Sequence, residues 1–193
     1  SPHRRVRTFI VIVLLSNYDF QALVEQYFKD NDLEERSKKR PKKPKNLERY
    51  LRIDYSNTIY KEEANISNPN VTPSRRKIYE VNDILNKPIG FNEYIGTLTT
   101  KQDRHPNAGI LEFPEHRRGG SPYRNLTPRE CFLLMGFDEA DFNRVLKYNP
   151  QLQKNKKLYS RERLERLAGN SIVVDVLMKL FEQINELKLL IYR

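Results

Sequence analysis

The sequence predicts an α+β chain, and three observations predict it. Thr8 to Leu15 (Thr-Phe-Ile-Val-Ile-Val-Leu-Leu) is a continuous apolar, β-branched run, the pattern of a strand buried on both faces, as in a parallel sheet. Residues 46–120 break into short apolar pieces between Asn, Pro and Ser clusters, the pattern of a small mixed lobe. Residues 121–193 carry crisp helix starts and stops and one long apolar stripe.

A strand buried on both faces needs neighbours on each side and helices above and below it. No second run of that kind occurs after Leu15, so its sheet is not expected within these residues. Just before it, Arg5 and Arg7 alternate with Val6 and share one face of an extended segment. A frayed basic terminus is the other reading of that pattern. Phe20, Leu23, Val24, Tyr27 and Phe28 make residues 19–35 an amphipathic helix. Arg36 to Lys45 is a basic run with two prolines, which reads as a mobile, solvated linker or a segment that tracks a phosphate backbone.

Within 46–120, Leu47–Ile53 and Arg75–Leu85 read as short helices, and Ile89–Leu98 and Gly109–Phe113 as strands. Tyr55, Tyr60, Tyr79, Phe91 and Tyr94 are interleaved with Arg75, Arg76, Lys77, Lys101 and Arg104. Basic loops studded with aromatics suit nucleic acid, although any loop-rich lobe has weak core patterning. Gly119-Gly120 reads as a flexible joint closing the lobe.

Thr127-Pro128-Arg129-Glu130 is a capping box, with Thr127 as the cap, Pro128 at the first helical position and Glu130 reaching back from the third. Gly136 ends that turn. Asp138 caps the next helix, with Phe137 and Phe142 spaced as a hydrophobic staple. Lys147–Lys157 reads as a polar connection, and Ser160 caps a third helix, Arg161–Ala168. Gly169 is expected in the left-handed conformation that ends this helix, with Asn170 and Ser171 capping the final, longer helix. From Val173, residues Val176, Leu177, Leu180, Phe181, Ile184 and Leu187 form an apolar stripe. A helix start of this kind suits a carboxylate or phosphate, although on this turn alone an ordinary packed helix with a good cap is the preferred reading.

The chain has 193 residues and a formal charge of +10, which favours an anionic partner, nucleic acid first. One cysteine excludes an internal disulfide framework, and three scattered histidines give no zinc spacing, so no metal is expected. Cys131 lies within a helix without a visible base and reads as a small core residue. The run Phe9–Leu15 is too short to span a bilayer, and no signal peptide is recognisable. The first residue is Ser rather than Met, as in a processed product or a piece of a longer chain.

Beyond these generic readings, Tyr123-Arg124-Asn125-Leu126-Thr127-Pro128-Arg129-Glu130-Cys131-Phe132-Leu133-Leu134-Met135-Gly136-Phe137 resembles the ninth conserved motif of DNA cytosine-5 methyltransferases. Leu167–Leu177, around Gly169-Asn170-Ser171, resembles the tenth, and Pro2–Phe9 resembles the eighth. Thr97–Asn107 resembles the Thr-Leu end of the family's variable target-recognition region. The four stand in family order and together cover the two ends of the chain.

The resemblance implies the C-terminal portion of an α/β Rossmann-type, S-adenosyl-L-methionine-dependent methyltransferase with a small mixed recognition lobe. Residues 1–18 would hold the eighth motif and one strand of the catalytic sheet. Residues 19–45 would be a helix and basic linker, 46–120 the target-recognition lobe, and 121–193 the ninth- and tenth-motif helices. In the family a cysteine of a Pro-Cys pair attacks C6 of an everted cytosine, a glutamate bonds N3, and C5 takes the methyl group. This sequence has no Pro-Cys pair, no Glu-Asn-Val segment and no glycine-rich cofactor loop. The chain alone is therefore expected to be inactive and to need the catalytic part or a complementary subunit.

The same match implies that Arg7 reaches the target base and Arg5 supports it, while His3 stands where the family usually has Gln. Asn170 and Ser171 would close the methionine end of an S-adenosyl-L-methionine pocket only partly present here. Arg75, Arg76, Lys101, Arg104 and His105 would contact double-stranded DNA. Arg124, Thr127, Arg129 and Glu130 would dock the recognition lobe on the catalytic domain. The family often has Pro where this chain has Asp138. The setting implied is a bacterial cytoplasm, within a restriction–modification system and without a membrane. Two other readings stand beside it: a stand-alone, sequence-specific DNA-binding module without catalysis, and a transfer-RNA-directed relative.

Overall fold

A computed structural model describes residues 10–11, 19–38, 47–81, 95–98, 109–154 and 156–192. In chain order these form α1 (Asp19–Asp30), α2 (Leu33–Lys38), a 3₁₀ turn (Leu47–Tyr50), α3 (Thr58–Ile66) and α4 (Pro73–Val81). Then come β1 (Ile110–Glu112), β2 (Tyr123–Asn125), α5 (Pro128–Leu134), α6 (Glu139–Lys147), β3 (Gln151–Gln153), β4 (Lys156–Lys157), α7 (Arg161–Asn170) and α8 (Val174–Ile191). The chain divides into two compact units. Described residues between Lys45 and Ser171 belong to the first, and those between Val6 and Pro44, with Ile172 onward, to the second.

The first unit is built around α5. Every residue from Pro128 to Leu134 is buried, so Cys131, Phe132, Leu133 and Leu134 run consecutively with no polar face. Thr127 accepts the Glu130 N–H and the Glu130 side chain accepts the Thr127 N–H, which fixes the start of the helix. Gly136, at φ +92°, turns the chain out of it. The 3₁₀ turn, α6 and α7 pack on this helix. Phe142 of α6, buried, lies 5.2 Å from the Phe132 ring, and Phe137 lies 5.3 Å from the same ring. β1 and β2 pair antiparallel, with Leu111 opposite Arg124. β3 and β4 pair antiparallel as a separate hairpin.

The second unit pairs α1 with α8. Tyr27 is buried and its hydroxyl donates to Glu186 Oε2 at 2.7 Å. Burial first, and then the neighbouring carboxylate, push the Tyr27 hydroxyl up to about 12. Arg36 donates two bonds to the same Glu186 oxygen. Gln183, buried on α8, donates to the Asn31 carbonyl.

The structure departs from the sequence reading at several places. Gly169 is not a left-handed stop: it lies within α7, which runs on to Asn170. Ser171 closes α7 from behind, its hydroxyl donating to the Ala168 carbonyl at 2.7 Å, and it does not cap α8. α8 opens at Val174 with no side-chain cap bond. Of the Thr8–Leu15 run only Ile10 and Val11 are described; neither is in a strand, and Ile10 is 85 % exposed. No strand that would flank it occurs among the described residues. Arg36 to Lys38, linker by composition, close α2. α3 has no counterpart in the sequence reading, although Asn57 caps it by accepting the Ile59 and Tyr60 N–H groups. α4 begins two residues before Arg75, at Pro73, where Thr72 accepts the Arg75 N–H in a second Thr-Pro start.

Among the described residues, a Cβ at Gly169 would meet the Leu98 carbonyl at 3.6 Å, an ordinary contact. Gly169→Ala is therefore expected to stabilise α7 by about 0.5–1 kcal/mol. A raised urea midpoint checks this; a lowered one would mean that the position needs glycine for another reason.

Candidate functional site

Glu130 is a fully buried carboxylate with four donors. Oε1 accepts from the Arg52 backbone N–H and from Arg124 Nη2, both at 2.8 Å. Oε2 accepts from Arg124 Nη1 and from the Thr127 N–H, also both at 2.8 Å. A carboxylate has about four acceptor positions, so none is left over. Arg124, equally buried, is just as fully used: it also donates to the Tyr55 hydroxyl and to the Asn125 and Arg52 carbonyls. Burial alone would push the Glu130 carboxyl up, but the Arg124 guanidinium overrides this and holds it below the usual carboxylate range. Burial likewise opposes the charge on Arg124, and Glu130 more than offsets it, so its pKa is raised.

A second arginine extends the network. Arg129 donates to Glu63 of α3, to Glu139 and to Asn143 of α6, with its guanidinium carbon 4.7 Å from the Phe142 ring centre. Glu139 also accepts from Arg52 Nε. Burial raises the Glu139 carboxyl, but the bonds from Arg129 and Arg52 outweigh it and leave it lowered. The four residues Arg124, Thr127, Arg129 and Glu130 are thus brought together, and they tie α5 to residues 52–63. Their partners Arg52, Tyr55, Glu63, Glu139 and Asn143 escape sequence reasoning, because their nearness depends on tertiary structure.

Both depressed carboxylates give the same sign of pH dependence. Their contribution is complete above the ordinary glutamate value of 4.5 and is lost as pH falls through their lowered folded values. The urea midpoint of the first unit is expected to be flat from neutral pH to about 5 and to fall steadily below about 4.5. A midpoint that rose on acidification would contradict this.

Among the DNA-contact candidates, Arg76 is exposed on α4. Arg75 is half-buried and donates to the Asn70 carbonyl. Beside them runs a turn that the sequence reading does not single out. Arg117 and Arg118 are exposed on it, Arg117 bonds the Asn70 side chain, and Asn70 bridges to Gly120. The Arg-Arg-Gly-Gly sequence is the available signal. Arg75, Arg76 and Arg117 thus belong to adjoining segments of one edge. Gly119-Gly120 is no loose joint: a Cβ at Gly120 would sit 2.1 Å from Asn68 Oδ1 and 2.9 Å from the Arg117 carbonyl. Asn68 is itself pinned by bonds to the Ser121 and Tyr123 carbonyls.

Tyr55 and Tyr60 are half-buried and make their contacts within the fold. Tyr55 packs on Phe113 and under Arg124, and Tyr60 lies beside Arg52 and Arg129. Their interleaving with basic residues reflects internal cation–π contacts. Asn170 is exposed at the end of α7 and its side-chain amide makes no hydrogen bond to another described residue, whereas the Ser171 hydroxyl is engaged by Ala168. Cys131 is fully buried in α5. His3, Arg5, Arg7, Lys101, Arg104 and His105 lie outside the described residues. Among the described residues no helix is long and apolar enough to cross a membrane, and no cluster of three His, Cys, Asp or Glu side chains is placed to hold a metal.

Residues 1–186 match the family model of the C-5 cytosine-specific DNA methylases. Over 82 residues the chain is 39 % identical to the orphan methyltransferase M.Rho11sI of Bacillus phage rho11s. It is 35 % identical to the orphan methyltransferase M.SPRI of Bacillus phage SPR and 34 % to the putative type II methyltransferase M.BsuMIIP of Bacillus subtilis strain 168. Each match takes in 42 % of this chain but only 13 % or 15 % of the relative's length.

Proposed function

Because the chain belongs to the C-5 cytosine-specific DNA methylase family, we propose that it is the C-terminal region of a DNA (cytosine-5)-methyltransferase. The whole enzyme transfers a methyl group from S-adenosyl-L-methionine to C5 of a cytosine in a specific duplex sequence. The thiol nucleophile comes from a part outside these residues. In this reading residues 46–120 are the target-recognition lobe, and Arg75, Arg76, Lys101, Arg104 and His105 contact the duplex. Residues 1–18 bring Arg7 and Arg5 to the everted base, with His3 nearby. The restriction–modification setting and the bacterial cytoplasm belong to the same proposal.

The observation that carries it is the saturated Glu130 carboxylate. Four donors from Arg52, Arg124 and Thr127 lock the ninth-motif helix to the start of the recognition region. Such a joint positions a recognition lobe without itself contacting DNA. S-adenosyl-L-methionine, when bound, supplies the electrophilic methyl group. Asn170, exposed and with an uncommitted amide among the described residues, fits the role of holding its methionine end. Ser171 fits less well, since its hydroxyl already serves Ala168, so its part is to fix the end of α7.

The test mixes the chain with a complementary chain carrying the missing motifs, labelled S-adenosyl-L-methionine and duplex DNA. Transfer that appears only with both chains supports the reading; no transfer with any complementing chain overturns it. A chain that instead binds one duplex sequence tightly by itself, with no transfer on pairing, would be the recognition module alone.

A further inference from the structure

We propose that the β3–β4 hairpin is a second, sequence-independent contact to the DNA phosphate backbone, separate from the edge formed by Arg75, Arg76 and Arg117. The proposal rests on the reading that this chain works on duplex DNA. From Phe142 to Arg161 the sequence holds four lysines and two arginines and no acidic residue. Both strands are exposed: no residue of either is buried. It therefore adds nothing to the core, and a bare two-stranded ribbon is marginal unless its ends are held.

Its ends are held. Asn149, nearly buried, donates to the Tyr159 carbonyl and accepts the Tyr159 N–H, both at 2.9 Å. The Leu158 N–H bonds the Pro150 carbonyl at 2.8 Å, and Arg163 reaches the Leu158 carbonyl at 2.7 Å. Gln151 bonds the Gln153 and Lys154 carbonyls across the tip. The fold thus supports a projection whose exposed cargo is Lys154, Lys156 and Lys157. Among the described residues none of these three has an ion-pair partner. Lys156 and Lys157 are adjacent in β4, so they lie on opposite faces of the ribbon, with Gln153 and Gln151 opposite them. Beside them Tyr148 is 68 % exposed with the Lys147 ammonium 5.3 Å from its ring. Unneutralised lysines on both faces of a braced ribbon match the repeating charge of a duplex backbone. Lysine, a point charge without a fixed fork, suits phosphate contact better than base reading.

Edge lysines also serve merely to prevent strand pairing between molecules, a role that predicts no change in DNA affinity. The experiment uses the full chain and measures binding to specific and random duplexes across a salt series. Lys154→Gln/Lys156→Gln/Lys157→Gln is expected to flatten the slope of log affinity against log salt by about 2–3 units, since each phosphate contact contributes about 0.9. Specific and random duplexes should weaken in equal proportion, and Lys→Arg at all three positions should restore the slope. An unchanged slope in the Gln variant, with duplex binding intact in the unaltered chain, overturns the hairpin's role and leaves the wider reading standing. A change in sequence discrimination instead of slope also overturns it. An unaltered chain that binds no duplex, either alone or paired with the complementing chain, overturns both.

Discussion

Glu130→Ala is expected to destabilise the first unit by about 3–5 kcal/mol, the cost typical of stranding one member of a buried ion pair. Three features place it at the upper end of single-residue effects. Arg124 would keep its charge and lose the one carboxylate that pairs with it among the described residues, at a position with no exposure to water. The N–H groups of Arg52 and Thr127 would lose their acceptor. The capping box of α5 would be half dismantled. Hydrogen exchange of the α5 amides over a urea series reads the effect locally, and they should open at markedly lower urea. Replacing both partners with methionine should cost much less than Glu130→Ala, because a matched apolar pair strands no charge. A double variant as unstable as the single one would mean that the pair's bonds, rather than the stranded charge, set the cost.

Phe142→Ala is expected to cost about 3–5 kcal/mol through the void it leaves. The ring is 2 % exposed, stands edge-on to Phe132 and lies under the Arg129 guanidinium. Its loss removes packing from α5, and it also lets water reach Arg129. Phe142→Leu should recover roughly half of the loss, since most of the volume returns without the π face. The urea midpoints of the two variants check this order. Equal midpoints would mean that the site collapses around either residue.

The parts of this fold written in local chemistry are legible in the sequence. Thr127, Pro128 and Glu130 announce the start of α5, Asp138 that of α6 and Ser160 that of α7, each because a cap needs only its own next three residues. The partners of the buried network are not. Arg52, Tyr55 and Glu63 lie 66 to 87 residues from the side chains they bind, and no spacing rule links them. The same cause misleads the reading of Tyr55 and Tyr60, whose basic neighbours in space are internal arginines. Gly169-Asn170-Ser171 carries every sign of a stop, yet the helix continues through Asn170, because the Ser171 hydroxyl satisfies the final turn. The β3–β4 hairpin reads as connection because Gln and Lys give no alternating apolar signal, and the Asn149 side chain that helps to close it bonds Tyr159, ten residues on.

The inward use of every donor on Arg124 has an evolutionary corollary. On the proposed function, a linchpin that touches no base is indifferent to which bases are read, and the loops around it can be rewritten to address new sequences while the socket stays as it is. Relatives with different targets should then differ at positions such as Arg76 and Arg117, and keep Arg124 together with Glu130 or lose them as a pair.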